Sequence, residues 1–136
     1  MAWQGGYRTR MSDILFWHNS EVLQVTPPGA AGQAARITLT AAAVERAGLS
    51  GFLKPLELVF VQAQLTGPVS DCIGSISEGT CRLGSGVSRQ LPLPWVSEGP
   101  VQLSLQFRNG STLLIEAASA HCVPTADARF IESYAC

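Results

Sequence analysis

His18 is the residue whose neighbours come nearest to chemistry. It stands in the stretch FWHNSEV, residues 16–22, beside Asn19 and Ser20 and close after Asp13. An imidazole with a hydroxyl, an amide and a carboxylate at hand is the raw material of a general base or a metal ligand. The same residue types have a plainer use, because Asn and Ser side chains bond back to the backbone of turns. The turn is the favoured account. A hydrolytic triad also needs a placed nucleophile and oxyanion donors, and the G-x-S-x-G pattern is absent. His18, Asn19 and Ser20 are therefore expected in a turn between a strand over 12–17 and another over 21–25. No catalytic residue is assigned; His18 and His121 are the candidates should the chain be an enzyme.

Metal binding is not expected. The available donors are the two histidines and Cys72, Cys81, Cys122 and Cys136, and the closest cysteine pair is C-x₈-C, whereas zinc loops use far tighter spacings. His121 and Cys122 are adjacent, so on a strand they face opposite ways. Cys136 has no neighbour in sequence that would lower its pKa. Glu57, Glu116, Asp127 and Glu132 show no spacing that pairs them. Gly84-Ser85-Gly86 is followed by Val-Ser-Arg, not by a helix with a lysine, and reads as a turn rather than a phosphate cradle. No cofactor is expected.

The elements that must position these residues read as strands. RITLT (36–40) alternates, and LELVFVQAQL (56–65) is rich in β-branched and aromatic residues. Between them, residues 40–48 fit either a short helix capped by Thr40 and stopped by Gly48, or a continued strand turning at Gly48 and Gly51. VQLSLQFRNGSTLLIEA (101–117) is a hairpin around Asn109-Gly110. A three-residue loop, Arg108-Asn109-Gly110, puts Val101, Leu103, Leu105 and Phe107 on one face with Leu113, Ile115 and Ala117; a two-residue loop sets Leu103 opposite Glu116. The three-residue loop follows, with Gly110 left-handed. A second hairpin is expected at Glu78-Gly79, which keeps Cys72 too far from Cys81 for a disulfide. LPLPWVSEGP (91–100) should be extended and irregular, with Trp95 plugging one end of the core. The whole reads as all-β: one antiparallel barrel or sandwich of about seven to nine strands, with at most one short helix near 40–48.

With 136 residues, 46% of them hydrophobic and 14% charged, the chain suits one packed domain. Residues 1–11, MAWQGGYRTRM, lack the apolar core of a secretory signal and are expected to be a flexible arm, with Met11 an alternative start; 12–136 form the β domain. A net charge of −1 with a single lysine, Lys54, offers no field for nucleic acid. The longest uncharged run, Val22 to Ala35, is broken by Pro27-Pro28-Gly29 and spans no membrane. The location expected is the cytoplasm, with reduced thiols.

Two resemblances follow. FWHNSEVLQV resembles the FHDAEVLSL or LHDSE opening of small bacterial β-rich domains that include immunity proteins of polymorphic toxin systems, with Asn19 where those domains carry Asp. The stretch 12–136, with CIGSISEGTCRLG and the ending RFIESYAC, is similar to a bacterial family ending RFVESLAC that brings no activity with it. The first resemblance implies a noncatalytic cytoplasmic protein that blocks a cognate toxin. The reading is thus a binding module with a protein partner, expected as a homodimer through charge-poor sheet edges, with Trp17, His18, Asn19 and Trp95 as an interaction loop. The alternatives are a hydrolase or isomerase using His18 or His121 in a barrel-mouth pocket, and a structural homo-oligomeric subunit.

Overall fold

The computed structural model describes residues 13–29, 34–84, 86–124 and 128–132. The arm 1–11, Ser85, Asp127 and Cys136 lie outside the described residues. Thirteen strands are described: β1 (Asp13–Thr26), β2 (Ala35–Arg46), β3 (Leu49–Lys54), β4 (Leu56–Val61), β5 (Gln64–Thr66), β6 (Gly74–Leu83) and β7 (Gly86–Ser88), then β8 (Gln90–Leu93), β9 (Trp95–Ser97), β10 (Val101–Phe107), β11 (Thr112–Ala117), β12 (Ser119–Cys122) and β13 (Arg129–Glu132). They form one antiparallel sheet in the order β5-β11-β10-β6-β1-β2-β4-β12-β9, with β3 beside β2 and β13 beside β3, and β7 and β8 beside β6 and β1. The ends of that path, β5 and β9, are not paired to each other, so the sheet is not closed. No helix among the described residues is long and apolar enough to cross a membrane.

The count exceeds seven to nine because bends divide long runs. β3 and β4 continue one register along β2, from Arg46 opposite Leu49 to Ala35 opposite Phe60, interrupted at Lys54 and Pro55. β7 and β8 form a comparable broken run, pairing first with β6 and then with β1.

Residues 40–46 are strand, and the helical alternative falls. Ala42 and Val44 are buried, while Ala41, Ala43 and Glu45 lie on the other face. Alanine's helix preference is worth only tenths of a kcal/mol against most residues, about 0.5 each, and two flanking ladders override it. The chain turns at Ala47 and Gly48, both at positive φ. Gly51 sits within β3, where a Cβ would stand 2.8 Å from the Phe130 ring.

The Asn109-Gly110 hairpin has the expected three-residue loop. The Phe107 N–H donates to Ser111 O at 2.9 Å, the Gly110 N–H donates to Phe107 O at 3.0 Å, and Gly110 has φ +92°. Leu103 faces Ile115 and Leu105 faces Leu113, all buried.

Glu78-Gly79 is not a turn. β6 runs straight through it, with Glu78 opposite Gln106 and Gly79 opposite Leu105. Gly79 is needed for close approach instead, since a Cβ there would stand 2.6 Å from the Trp17 Cβ and 2.8 Å from Leu105 Cδ2.

One continuous apolar cluster joins the inner faces of β2 and β4 (Ile37, Leu39, Leu58, Phe60) with those of β10 and β11 (Leu103, Leu105, Leu113, Ile115). Trp95 closes part of it, its ring edge-on to Phe60 at 6.4 Å. At the margin of the same face Asp13, 3% exposed, accepts two bonds from Arg46, Nε at 2.6 Å and Nη2 at 3.0 Å. The Arg46 guanidinium lies 4.7 Å from the centroid of the Phe130 ring, tying β13 to this corner.

Candidate functional site

His18 lies on a bulge, not in a turn between two strands. β1 keeps its direction, and β2 pairs with it on both sides of the bulge: Phe16 faces Ala43 and Glu21 faces Ala41, so four residues of β1 oppose Ala42 alone. Of the polar residues Ser20 satisfies backbone, as a turn would have required, whereas Asn19 bonds to a side chain instead. Ser20, fully buried, donates to Phe16 O at 2.7 Å and accepts from the Ala43 N–H at 2.9 Å. Asn19 has φ 71° and accepts from Arg108 Nη2 at 3.0 Å. Trp17 turns into the core, 1% exposed, and its indole N–H has no partner among the described residues.

These commitments take apart the arrangement that would make His18 catalytic. Ser20 is bonded at both its donor and acceptor sides, Asp13 is held by Arg46 on the core face, and Asn19 serves Arg108. The imidazole is exposed, with the Phe16 ring edge-on at 6.0 Å. Of the four residues expected as an interaction loop, His18 and Asn19 face outward, whereas Trp17 and Trp95 belong to the core. Both indoles supply large apolar volume to that core.

His121 lies elsewhere, on β12 between Val59 and Val96. It lines an outer-face depression of about 430 Å³ with Arg36, Thr38 and Glu57. Arg36 and Glu57 form an ion pair of 3.1 Å, both about half exposed, which contributes little in water. His121 and Cys122 face opposite ways, His121 to solvent and Cys122 into the core.

Among the described residues no group of three or more His, Cys, Asp or Glu is placed to hold a metal ion. Cys72, Cys81 and Cys122 are free and buried. Burial pushes the Cys81 thiol up to about 11; burial, with Glu57 adding to it, pushes Cys122 up to about 12. Cys72 is raised by burial and by Asp71. Such thiols are poor nucleophiles at neutral pH.

The outer face beside the bulge carries a feature the sequence reading missed. Phe16, Ala43, Phe52 and Ile131 stand in register across β1, β2, β3 and β13. Between the two phenylalanines Ala43 leaves a groove of about 330 Å³, bounded by His18, Asn19, Glu45 and Ser50. The available clue was the run Ala41-Ala42-Ala43. Alanine is depleted in strands, and where it alternates outward it lowers the surface between larger neighbours. A smaller cleft of about 220 Å³ on the other side of His18 is lined by Ser77, Glu78, Gly79 and Arg89.

Comparison of the chain with protein-family models, with curated proteins and with solved structures finds no match in any of the three.

Proposed function

We propose that the protein is a noncatalytic binding module that holds a protein partner on the outer face of β1, β2, β3 and β13. The observation that carries this reading is the Phe16–Ala43–Phe52 groove, with Ile131 at its margin 48% exposed. Aromatic walls around a small floor suit an anchoring side chain, and aromatic anchors dominate interface energies. The resemblance of FWHNSEVLQV to immunity-type domains supports a bacterial cytoplasmic setting in which that partner is a toxin.

The scaffold in this proposal is a partly open barrel. Its support is a shared register: Val61 opposite Ser119 and Gln64 opposite Glu116 belong to one ladder, and the Ala118 N–H donates to Val61 O at 3.0 Å where the ladder bends. β4 with β5, and β11 with β12, thereby lead from one end of the strand path toward the other, and a stiff wall presents the groove.

Self-association through edges is disfavoured: β5 and β9 have three residues each, and β13, with four, carries Arg129 and Glu132. A homodimer would use a face.

The test is capture of partners from the native lysate by tagged wild-type protein and an Ala43→Arg variant, read by mass spectrometry beside light scattering. The expected result is a stoichiometric protein that the variant loses while keeping its circular dichroism spectrum. Undiminished capture by the folded variant removes the groove from the proposal.

A further inference from the structure

The charges flanking the groove are arranged in rows along the strands. The central row is Phe16, Ala43, Phe52 and Ile131. Two residues along β2 from Ala43 stands Glu45, with Ile14 opposite it on β1 and Ser50 on β3. In the other direction Lys54 follows Phe52 by two on β3 and faces Arg129 on β13. Residues two apart on a strand share a face, so the Glu45 carboxylate, the apolar row and the Lys54–Arg129 pair lie side by side, with Glu21 opposite Ala41 at the β1 end of the last.

Glu45 is the informative member. It is half-buried on the groove wall next to Ile14, and among the described residues no cation or hydrogen-bond donor reaches its carboxylate. Arg46, its neighbour in sequence, is committed to Asp13 on the core face. A carboxylate partly withdrawn from water gains from an opposite charge brought against it, and more so once a partner excludes solvent.

The spacing then describes the ligand. Along a strand, residues two apart are roughly 6.6–6.8 Å from each other, and an extended occupant repeats its side chains at the same interval. We infer that the groove takes an extended segment of the partner protein that places an apolar side chain over Ala43, a lysine or arginine over Glu45, and an aspartate or glutamate toward Lys54 and Arg129. This deepens the binding-module reading and rests on it. The motif is basic-x-apolar-x-acidic, readable in either chain direction because a strand laid face-on takes its register from side chains.

Amide-resolved NMR titration of the full chain tests it, with the blocked peptide Gly-Arg-Ser-Phe-Ser-Glu-Gly as probe. Two controls replace its arginine by glutamate or its phenylalanine by serine. Shifts should centre on Ala43, Glu45 and Phe52, with the probe bound about tenfold more tightly than either control, the size of effect a single partly desolvated contact carries. Glu45→Lys should invert the preference between probe and glutamate control. Equal affinity for all three peptides, shifts elsewhere, or a preference that Glu45→Lys leaves unchanged would overturn the inference. The two proposals fail separately: a lysate partner lost with Ala43→Arg but indifferent to Glu45→Lys keeps the module and discards this motif.

Discussion

Gly79 lies against Trp17, across the place where β1 and β6 part. A Cβ on Gly79 would stand 2.6 Å from the Trp17 Cβ and 2.8 Å from its Cγ, closer than carbon atoms approach without displacement. Gly79 belongs to β6 and has no left-handed φ, so its conformation alone would admit any residue. Gly79→Ala is therefore expected to cost about 1–3 kcal/mol by overpacking, read as a lower urea midpoint with a changed near-ultraviolet tryptophan signal. Trp17→Val should leave most of that cost in place, because valine keeps the Cβ that stands nearest and Leu105 Cδ2 remains 2.8 Å away. A Gly79 cost that vanished with the indole alone would mean that the ring, rather than the approach of the two strands, sets the requirement for glycine.

The same pair explains what sequence could and could not convey. The Asn109-Gly110 hairpin was legible because loop length and two alternating faces agree within one short window. Gly79 reads identically whether it marks a turn or a close approach, and the residue that decides, Trp17, is remote in the chain. His18, Asn19 and Ser20 failed in a related way. A side chain such as that of Ser20 satisfies backbone in a bulge as well as in a turn, and only the continuation of β2 past Ala42 distinguishes the two. The groove was hidden because Ala43 acquires meaning from Phe16 and Phe52, which flank it only after three strands are in register.

The pair formed by Asp13 and Arg46 lends itself to a cycle of substitutions. Asp13 is almost fully buried and its two bonds come from Arg46, whose side chain is 25% exposed. Hydrogen bonding to Asp13 raises the Arg46 pKa above its ordinary value. Arg46→Met strands the carboxylate and should cost about 2–4 kcal/mol, somewhat under the range for a fully buried pair because the arginine is partly solvated. Asp13→Leu combined with Arg46→Met should recover most of the loss in urea midpoints. A double variant as unstable as the single one would show that the ion pair itself, rather than the stranded charge, carries the stability.

Alkaline pH should weaken the fold through its thiols. The folded pKa values of Cys81 and Cys122 are raised, to about 11 and about 12, while an unfolded cysteine titrates near ~8.5. Below that lower value both states are protonated and the stabilisation is fully present. As pH rises through about 9 to 11 the unfolded chain releases protons that the folded chain retains, so stability falls. Unfolding midpoints measured from pH 8 to 11 should drop, and the slope should lessen in Cys81→Ala despite its lower starting stability. A slope indifferent to that substitution would place the alkaline loss in other groups. In parallel, an aromatic disulfide reagent at pH 8 should label Cys72, Cys81 and Cys122 slowly in the native protein and rapidly in urea.

His18 is the residue on which catalysis and binding differ most. Its ring is exposed, the hydroxyl, carboxylate and amide that would serve it are bonded elsewhere, and it forms one boundary of the groove rather than its floor. His18→Ala should leave the urea midpoint within error of wild type and retain the captured partner. Leu105→Ala is the structural counterpart: fully buried between β6 and β11, Leu105 should cost about 2–5 kcal/mol when truncated, with partner capture falling only as far as the folded fraction falls. Measuring capture per folded molecule separates the two effects. If His18→Ala folds fully yet abolishes the cellular phenotype of the gene, the imidazole acts as more than a boundary and the noncatalytic reading fails. If both variants behave as expected, the histidine that first suggested chemistry is a bystander on a bulge, and Ala43→Arg is the variant that decides whether the Phe16–Ala43–Phe52 surface holds the partner.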